Sequence, residues 1–148
     1  MTSRHLLFGS PDATRGIDAG LLVLRVGLFA LLAFAHGIGK LPVSPEFVQG
    51  TAEMGFPLPA LFAWAAALSE FVGGLLLAIG LLTRPAALLV GFTMLVAFVG
   101  AHGGRLVGEG NGEMAFLYFV GAAVLLITGP GRYSADALLH RPTVAYSR

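Results

Sequence analysis

The sequence predicts an all-α integral membrane protein, a four-helix bundle with a short interfacial helix between spans 1 and 2. Composition is the first reason: 56% of the 148 residues are hydrophobic and 11% charged, with mean hydropathy +0.82, whereas a soluble domain is about 25% charged. The second is four apolar runs of the order needed to cross roughly 30 Å of hydrocarbon, about 17–25 residues each. The third is that Arg25, His36, Glu70, His102 and Glu113 stand inside or at the mouths of those runs. A charge near a bilayer centre costs about 2.5–3.5 kcal/mol on insertion scales, so such groups must meet one another or line a wet cavity.

Residues 1–18 form an N-terminal tail that mixes Arg4, Asp12, Arg15 and Asp18 with Pro11 and Gly16. It lacks the apolar core of a signal peptide, so insertion is expected to be led by the first span, Ala19 to Gly39. Leu41 to Pro57 follows, with Pro42, Pro45 and Pro57 around a weakly amphipathic middle in which Phe47, Val48, Ala52 and Met54 alternate with Glu46, Gln49 and Glu53. That pattern suits a short helix lying along the membrane surface.

The second span, Leu58 to Leu82, and the third, Pro85 to Ala101, are separated only by Thr83 and Arg84. Pro85 stands where a first helical turn has no use for an N–H, so the two spans should form a tight antiparallel hairpin. The segment HGGRLVGEGNG then breaks the chain with glycine and is expected to be a mobile loop, a common place for binding groups. The fourth span is Glu113 to Thr128; the membrane domain runs from 19 to 137 and a second tail from 138 to 148.

Lys and Arg are unevenly divided. The tails and the 83–84 turn hold Arg4, Arg15, Arg84, Arg132, Arg141 and Arg148, against Lys40 and Arg105 in the other two loops. By the positive-inside rule, both termini should be cytoplasmic. Gly27, Ala30, Gly73, Gly74, Gly80 and Gly121 are candidates for close helix approach.

Two exclusions follow from composition. A net charge of +1 offers no field to gather nucleic acid. The absence of cysteine removes disulfides, thiolate metal ligands and thiol exchange, so a redox role must borrow a cofactor or a partner.

Arg25 and His36 are 11 positions apart, about three turns, and Lys40 follows His36 by four, giving span 1 a polar stripe. Glu70 lies near the middle of span 2, while His102 ends span 3 and Glu113 opens span 4 on the same side as His36 and Lys40. The pairings expected are Glu70 with Arg25 or His36, and Glu113 with His102 or Lys40. Structurally, these would be ties between helices, and Arg25 in particular could cap carbonyls. Functionally, His36, His102, Glu70 and Glu113 would line a cavity that hydrogen-bonds the carbonyls of a quinone and exchanges protons with it, Arg25 and Lys40 setting its charge. Axial haem ligation and a His/Glu metal site are weaker readings, because no attachment or ligand spacing supports them; no metal and no intrinsic cofactor is expected.

With these residues in view, the chain resembles the DoxX family of small four-helix membrane proteins over about Leu21 to Ala137. The matching pieces are Arg25 with Gly27; His36-Gly37 with Lys40 and Leu41; Glu70 before Gly73-Gly74-Leu75; Gly80-Leu81 before Thr83-Arg84; His102; Glu113; and Gly129-Pro130-Gly131-Arg132 with Ser134 and Asp136. Each piece is short, and their order and spacing carry the match. The resemblance implies a multi-pass protein of a bacterial or archaeal inner membrane, related to the membrane subunit of thiosulfate:quinone oxidoreductase, with members that look like anchors for soluble redox enzymes.

The functional expectation is a membrane subunit that interacts with quinone, with a redox-enzyme partner, or with both, within a homo-oligomer or larger membrane complex. A non-catalytic scaffold of a respiratory or oxidase assembly is the alternative, and a small dimeric transporter a third.

Overall fold

The computed structural model describes residues 14–139. Among the described residues six helices follow one another: α1 (Arg15–Lys40), α2 (Pro45–Glu53), α3 (Pro59–Ile79), α4 (Thr83–Ala101), α5 (Glu113–Thr128) and α6 (Ala135–Leu139). Among the described residues α1, α3 and α4 are long and apolar enough to cross a membrane, and α5 is a shorter apolar helix. The expected all-α membrane bundle is therefore the one observed. α1 packs on α3, α3 on α4, α4 on α5 and α5 back on α1, while α2 lies against α3.

Most of the expected tails, 1–18 and 138–148, lies outside the described residues. Where described, the N-terminal tail is already helix from Thr14, and α6 straddles the expected boundary at 137. The helix therefore begins a turn ahead of the apolar run, through Thr14, Arg15, Gly16, Ile17 and Asp18, of which Ile17 alone is apolar.

Phe29, Leu32, Leu77, Val90, Tyr118 and Leu125 fill the centre, all at most 1% exposed. Around them Val23, Leu31, Phe34, Leu61, Trp64, Leu88, Phe92 and Ile127 face outward, an arrangement that water would punish and acyl chains welcome. With no hydrophobic force between helices in lipid, close approach substitutes. Gly37 provides the tightest one: a Cβ there would lie 2.6 Å from the backbone N of Phe71 and 2.8 Å from the carbonyl carbon of Glu70. Gly74 similarly admits the backbone of Phe29 and Ala33. Gly27, expected to serve this role, has nothing within 4 Å of such a Cβ and is exposed.

Four stretches of wider, π-type turn interrupt the α-helices: Arg25–Phe29, Leu32–Gly37, Ser69–Gly73 and Ala97–Ala101. Arg25, His36 and Glu70 lie within them and His102 directly follows the last. Such turns re-aim side chains and gather at functional sites. Residue periodicity at 3.6 per turn carries no signal for them.

The α3–α4 hairpin forms as expected, and its chemistry is tertiary. Gly80 (φ 71°) and Leu82 (φ 48°) both take left-handed conformations, uncommon for a leucine. Asp136 holds that turn: its carboxylate accepts the N–H of Leu82 at 2.8 Å and of Thr83 at 2.9 Å, while its own N–H donates to the Gly80 carbonyl at 2.8 Å. The first orphan donors of α4 are thus capped from the far end of the chain. Asp136→Ala should lower stability by about 2 kcal/mol, as for loss of a cap that carries charge; chemical unfolding in detergent measures it, and an unchanged midpoint would contradict the capping role.

α2 begins at Ser44, whose hydroxyl accepts the Phe47 N–H at 3.2 Å. Hydrogen bonds from its own backbone N–H and from the Ser44 hydroxyl hold the exposed Glu46 carboxyl below its ordinary range. A depressed pKa in the folded state adds stability above the unfolded value, and that stability is lost as pH falls through the folded one. The protection of the Phe47 to Thr51 amides, taken relative to their intrinsic exchange rates, should fall on acidification below the ordinary glutamate range in the wild type, and Glu46→Gln should abolish that acid dependence.

A polar junction between two cavities

Because Gly37 lets α1 touch α3 backbone to backbone, the residue three positions on, Lys40, projects over the wide turn that carries Glu70. Its ammonium donates to both carboxylate oxygens, at 2.5 Å to Oε1 and 2.7 Å to Oε2. The Glu70 side chain is 3% exposed and that of Lys40 35%. The Lys40 ammonium also stands 5.2 Å from the centre of the Phe47 ring of α2, within cation–π range. Beside Glu70, the Thr93 hydroxyl of α4 donates to the Ser69 hydroxyl of α3 at 3.0 Å.

This arrangement corrects the expected pairings. Glu70 meets Lys40, not Arg25 or His36. Arg25 is fully buried at the opposite end of the bundle, where it donates to the carbonyls of Tyr133 at 2.5 Å and Ala78 at 3.4 Å; it ties the segment after α5 to the α3 terminus. The separation of 15 positions from Arg25 to Lys40 along one helix, about 22 Å of rise, puts the two cations at different ends. Glu113 is exposed at the first position of α5 and lines neither cavity.

Two cavities meet at the ion pair, and both are lined by Lys40, Glu70, Ala97 and His102. The first, of about 280 Å³, is aromatic and apolar: Phe47, Met54 and Phe56 close it from the surface-helix side, and Phe62, Phe92 and Val96 from α3 and α4. The second, of about 300 Å³, adds His36, Tyr118 and Asn111 to Leu32, Met94 and Met114. His36 stands edge-on to Tyr118 with ring centres 5.5 Å apart. The Tyr118 hydroxyl is buried with no hydrogen-bond partner among the described residues, a deficit that costs about 1–3 kcal/mol unless something else satisfies it. His102 Nδ1 lies 3.0 Å from the Gly110 carbonyl oxygen. A carbonyl can only accept, so Nδ1 carries a proton and donates it there.

The glycine loop is folded as a series of turns. Gly103, Gly104, Gly108 and Gly110 all have positive φ, the Gly112 N–H donates to the Arg105 carbonyl at 2.7 Å, and the Asn111 amide donates to the Gly108 carbonyl at 2.7 Å. The glycines serve left-handed turns that deliver His102 and Asn111 to the second cavity. Among the described residues no three of His, Asp and Glu converge as a metal site.

Of the candidates named from sequence, His36, Lys40, Glu70 and His102 come together, whereas Arg25 and Glu113 do not. Sequence reasoning missed Tyr118, Asn111 and the aromatic wall. Tyr118 looks like one more packing aromatic in an apolar helix, and only its depth relative to His36 reveals the difference. Phe47 carries the one sequence signal for the wall, because a surface helix that follows a lysine at a span end can fold back over it.

Comparison with known proteins agrees with this architecture. The DoxX family model matches residues 20–103, more than half of the chain. "Inner membrane protein YqjF" of Escherichia coli is 36% identical over 132 residues, which cover 84% of this chain and 95% of that one. "Inner membrane protein YphA" of the same organism is 32% identical, covering 78% and 87% of the two chains. "Putative oxidoreductase CatD" of Bacillus subtilis is 29% identical, covering 86% and 92%. No solved structure matches. The apolar helices, the order of the short motifs along them and these alignments together make the chain a member of the DoxX family of membrane proteins.

Proposed function

We propose that the chain is an inner-membrane subunit that binds a quinone at the Lys40–Glu70 junction and works with a redox-enzyme partner. The observation that carries this reading is the ion pair in the wall of an aromatic cavity. A quinone head is a flat apolar ring with two carbonyl acceptors, and it takes up two electrons and two protons on reduction. Phe62 and Phe92 offer apolar faces to such a ring, and the third N–H of Lys40 is free of Glu70 to meet a carbonyl. Glu70 anchors the ammonium. With no cysteine the chain has no thiol couple, so this reading assigns the electrons to the partner. The oxidoreductase description of the Bacillus relative and the inner-membrane description of the two Escherichia coli relatives support it.

The distribution of Lys and Arg supports cytoplasmic termini, which puts the junction toward the outer face. A short-chain quinone analogue added to the protein in nanodiscs should raise its melting temperature, and Lys40→Met should abolish the increase while Glu113→Gln keeps it. No increase in the wild type at saturating analogue would overturn the proposal.

A further inference from the structure

The second cavity is not needed to hold a ring, and its lining differs from that of the first. It runs inward from Met114, 40% exposed, and the half-buried Asn111 to Met94 and Tyr118, which are 3% and 1% exposed. It thus connects the glycine-loop end of the bundle with the buried flank of Glu70. At about 300 Å³ it far exceeds the roughly 10–15 Å³ that one water occupies on this measure. It is also polar enough to stay wet: the Tyr118 hydroxyl has no hydrogen-bond partner among the described residues, and His36, His102, Asn111 and the ion pair border the same space. A buried hydroxyl without a partner beside a roomy polar cavity is where ordered water belongs.

We infer that this cavity is a water-filled proton antechamber, adjoining the aromatic cavity at the ion pair, through which Glu70 exchanges protons with the aqueous phase at the glycine-loop end. The groups bordering the chamber beside Glu70 are Lys40 and His36 from α1, His102 from α4 and Tyr118 from α5. A hydronium at Asn111 loses a proton to the water chain and is left as water. At the inner end an O–H bond of the last water's hydronium breaks as the Glu70 O–H forms; no electron moves, and Lys40 keeps its protons. The Tyr118 hydroxyl accepts from one water and donates to the next, which orients the chain. Delivery of that proton to a ligand rests on the quinone reading, whereas the chamber does not.

The chain carries its own reporters. Hydroxyl radicals generated radiolytically from bound water oxidise the side chains beside it, so Met94 should be oxidised in the ligand-free protein in nanodiscs, and a bulk radical scavenger should suppress Met114 oxidation far more than that of Met94. Absence of Met94 oxidation would overturn the inference. Ala115→Leu, which fills the chamber, and Tyr118→Phe, which removes only the hydroxyl, should each slow Glu70 protonation after a pH jump by about tenfold or more. The infrared carboxyl band, assigned by its loss in Glu70→Gln, reads that rate. Unchanged rates in both variants would also overturn it. Stabilisation by the quinone analogue should persist in Ala115→Leu. If the wild type shows fast protonation and Met94 oxidation yet no analogue stabilisation, the antechamber stands and the quinone reading falls.

Discussion

Gly37→Ala is expected to destabilise the protein by about 3 kcal/mol, the upper range for overpacking, because the atoms in its way are backbone and cannot rotate aside. The added methyl would meet the Phe71 nitrogen and the Glu70 carbonyl carbon at 2.6–2.8 Å. α1 and α3 would have to separate, carrying Lys40 away from Glu70, so stability and the site should fail together. Gly27→Ala is the matched control: open space surrounds it, and its effect should stay within about 0.5 kcal/mol. Unfolding in mixed micelles, with analogue binding measured on the surviving fold, checks both. Equal midpoints for the two variants would remove Gly37 as the point that sets the site.

The second large effect concerns the ion pair. Glu70→Gln leaves the Lys40 ammonium without its counter-charge. A fully buried pair broken on one side costs about 3–5 kcal/mol, and the partial exposure of Lys40 reduces the expectation to roughly 2–3 kcal/mol. The double variant Lys40→Met with Glu70→Leu should regain most of that loss, since apolar residues of similar volume commonly replace a buried pair without penalty. Quinone-analogue stabilisation should be absent from both. This contrast separates fold from function: a pair present only as a helix tie would let the restored double variant behave as the wild type, whereas a binding junction would not. A double-mutant cycle gives the coupling.

The architecture was legible because the bilayer imposes it. Length, hydropathy and glycine or proline punctuation are enough to place four apolar helices and a surface helix, and the few ionisable residues among them mark where to look. The geometry of the site was less legible, for reasons that can be named. Arg25 and Lys40 share a polar stripe in projection, yet Arg25 meets the carbonyl of Tyr133, 108 positions away, a contact that no local pattern encodes. Glu113 opens α5 on the correct side, but a first helical position can face outward as easily as inward. The wide turns at His36 and Glu70 shift side-chain direction without any change in composition. Gly37 and Gly27 read alike in sequence, and only the packing of α1 on α3 distinguishes them. Asp136 follows the Gly129–Arg132 segment, one of the short pieces whose order makes the family resemblance, and its capping of α4 is a physical reason for an acid there.

The central claim is that one junction, Lys40 with Glu70, sits where an aromatic cavity receives a quinone ring. Photocrosslinking with an azido-quinone in nanodiscs, followed by peptide mapping, tests it most directly. Adducts on Phe47 or Phe62, displaced by unlabelled quinone and lost in Lys40→Met, are the predicted result. Adducts spread over lipid-facing residues such as Val23, Leu88 and Ile127, and undiminished by competitor, would contradict it.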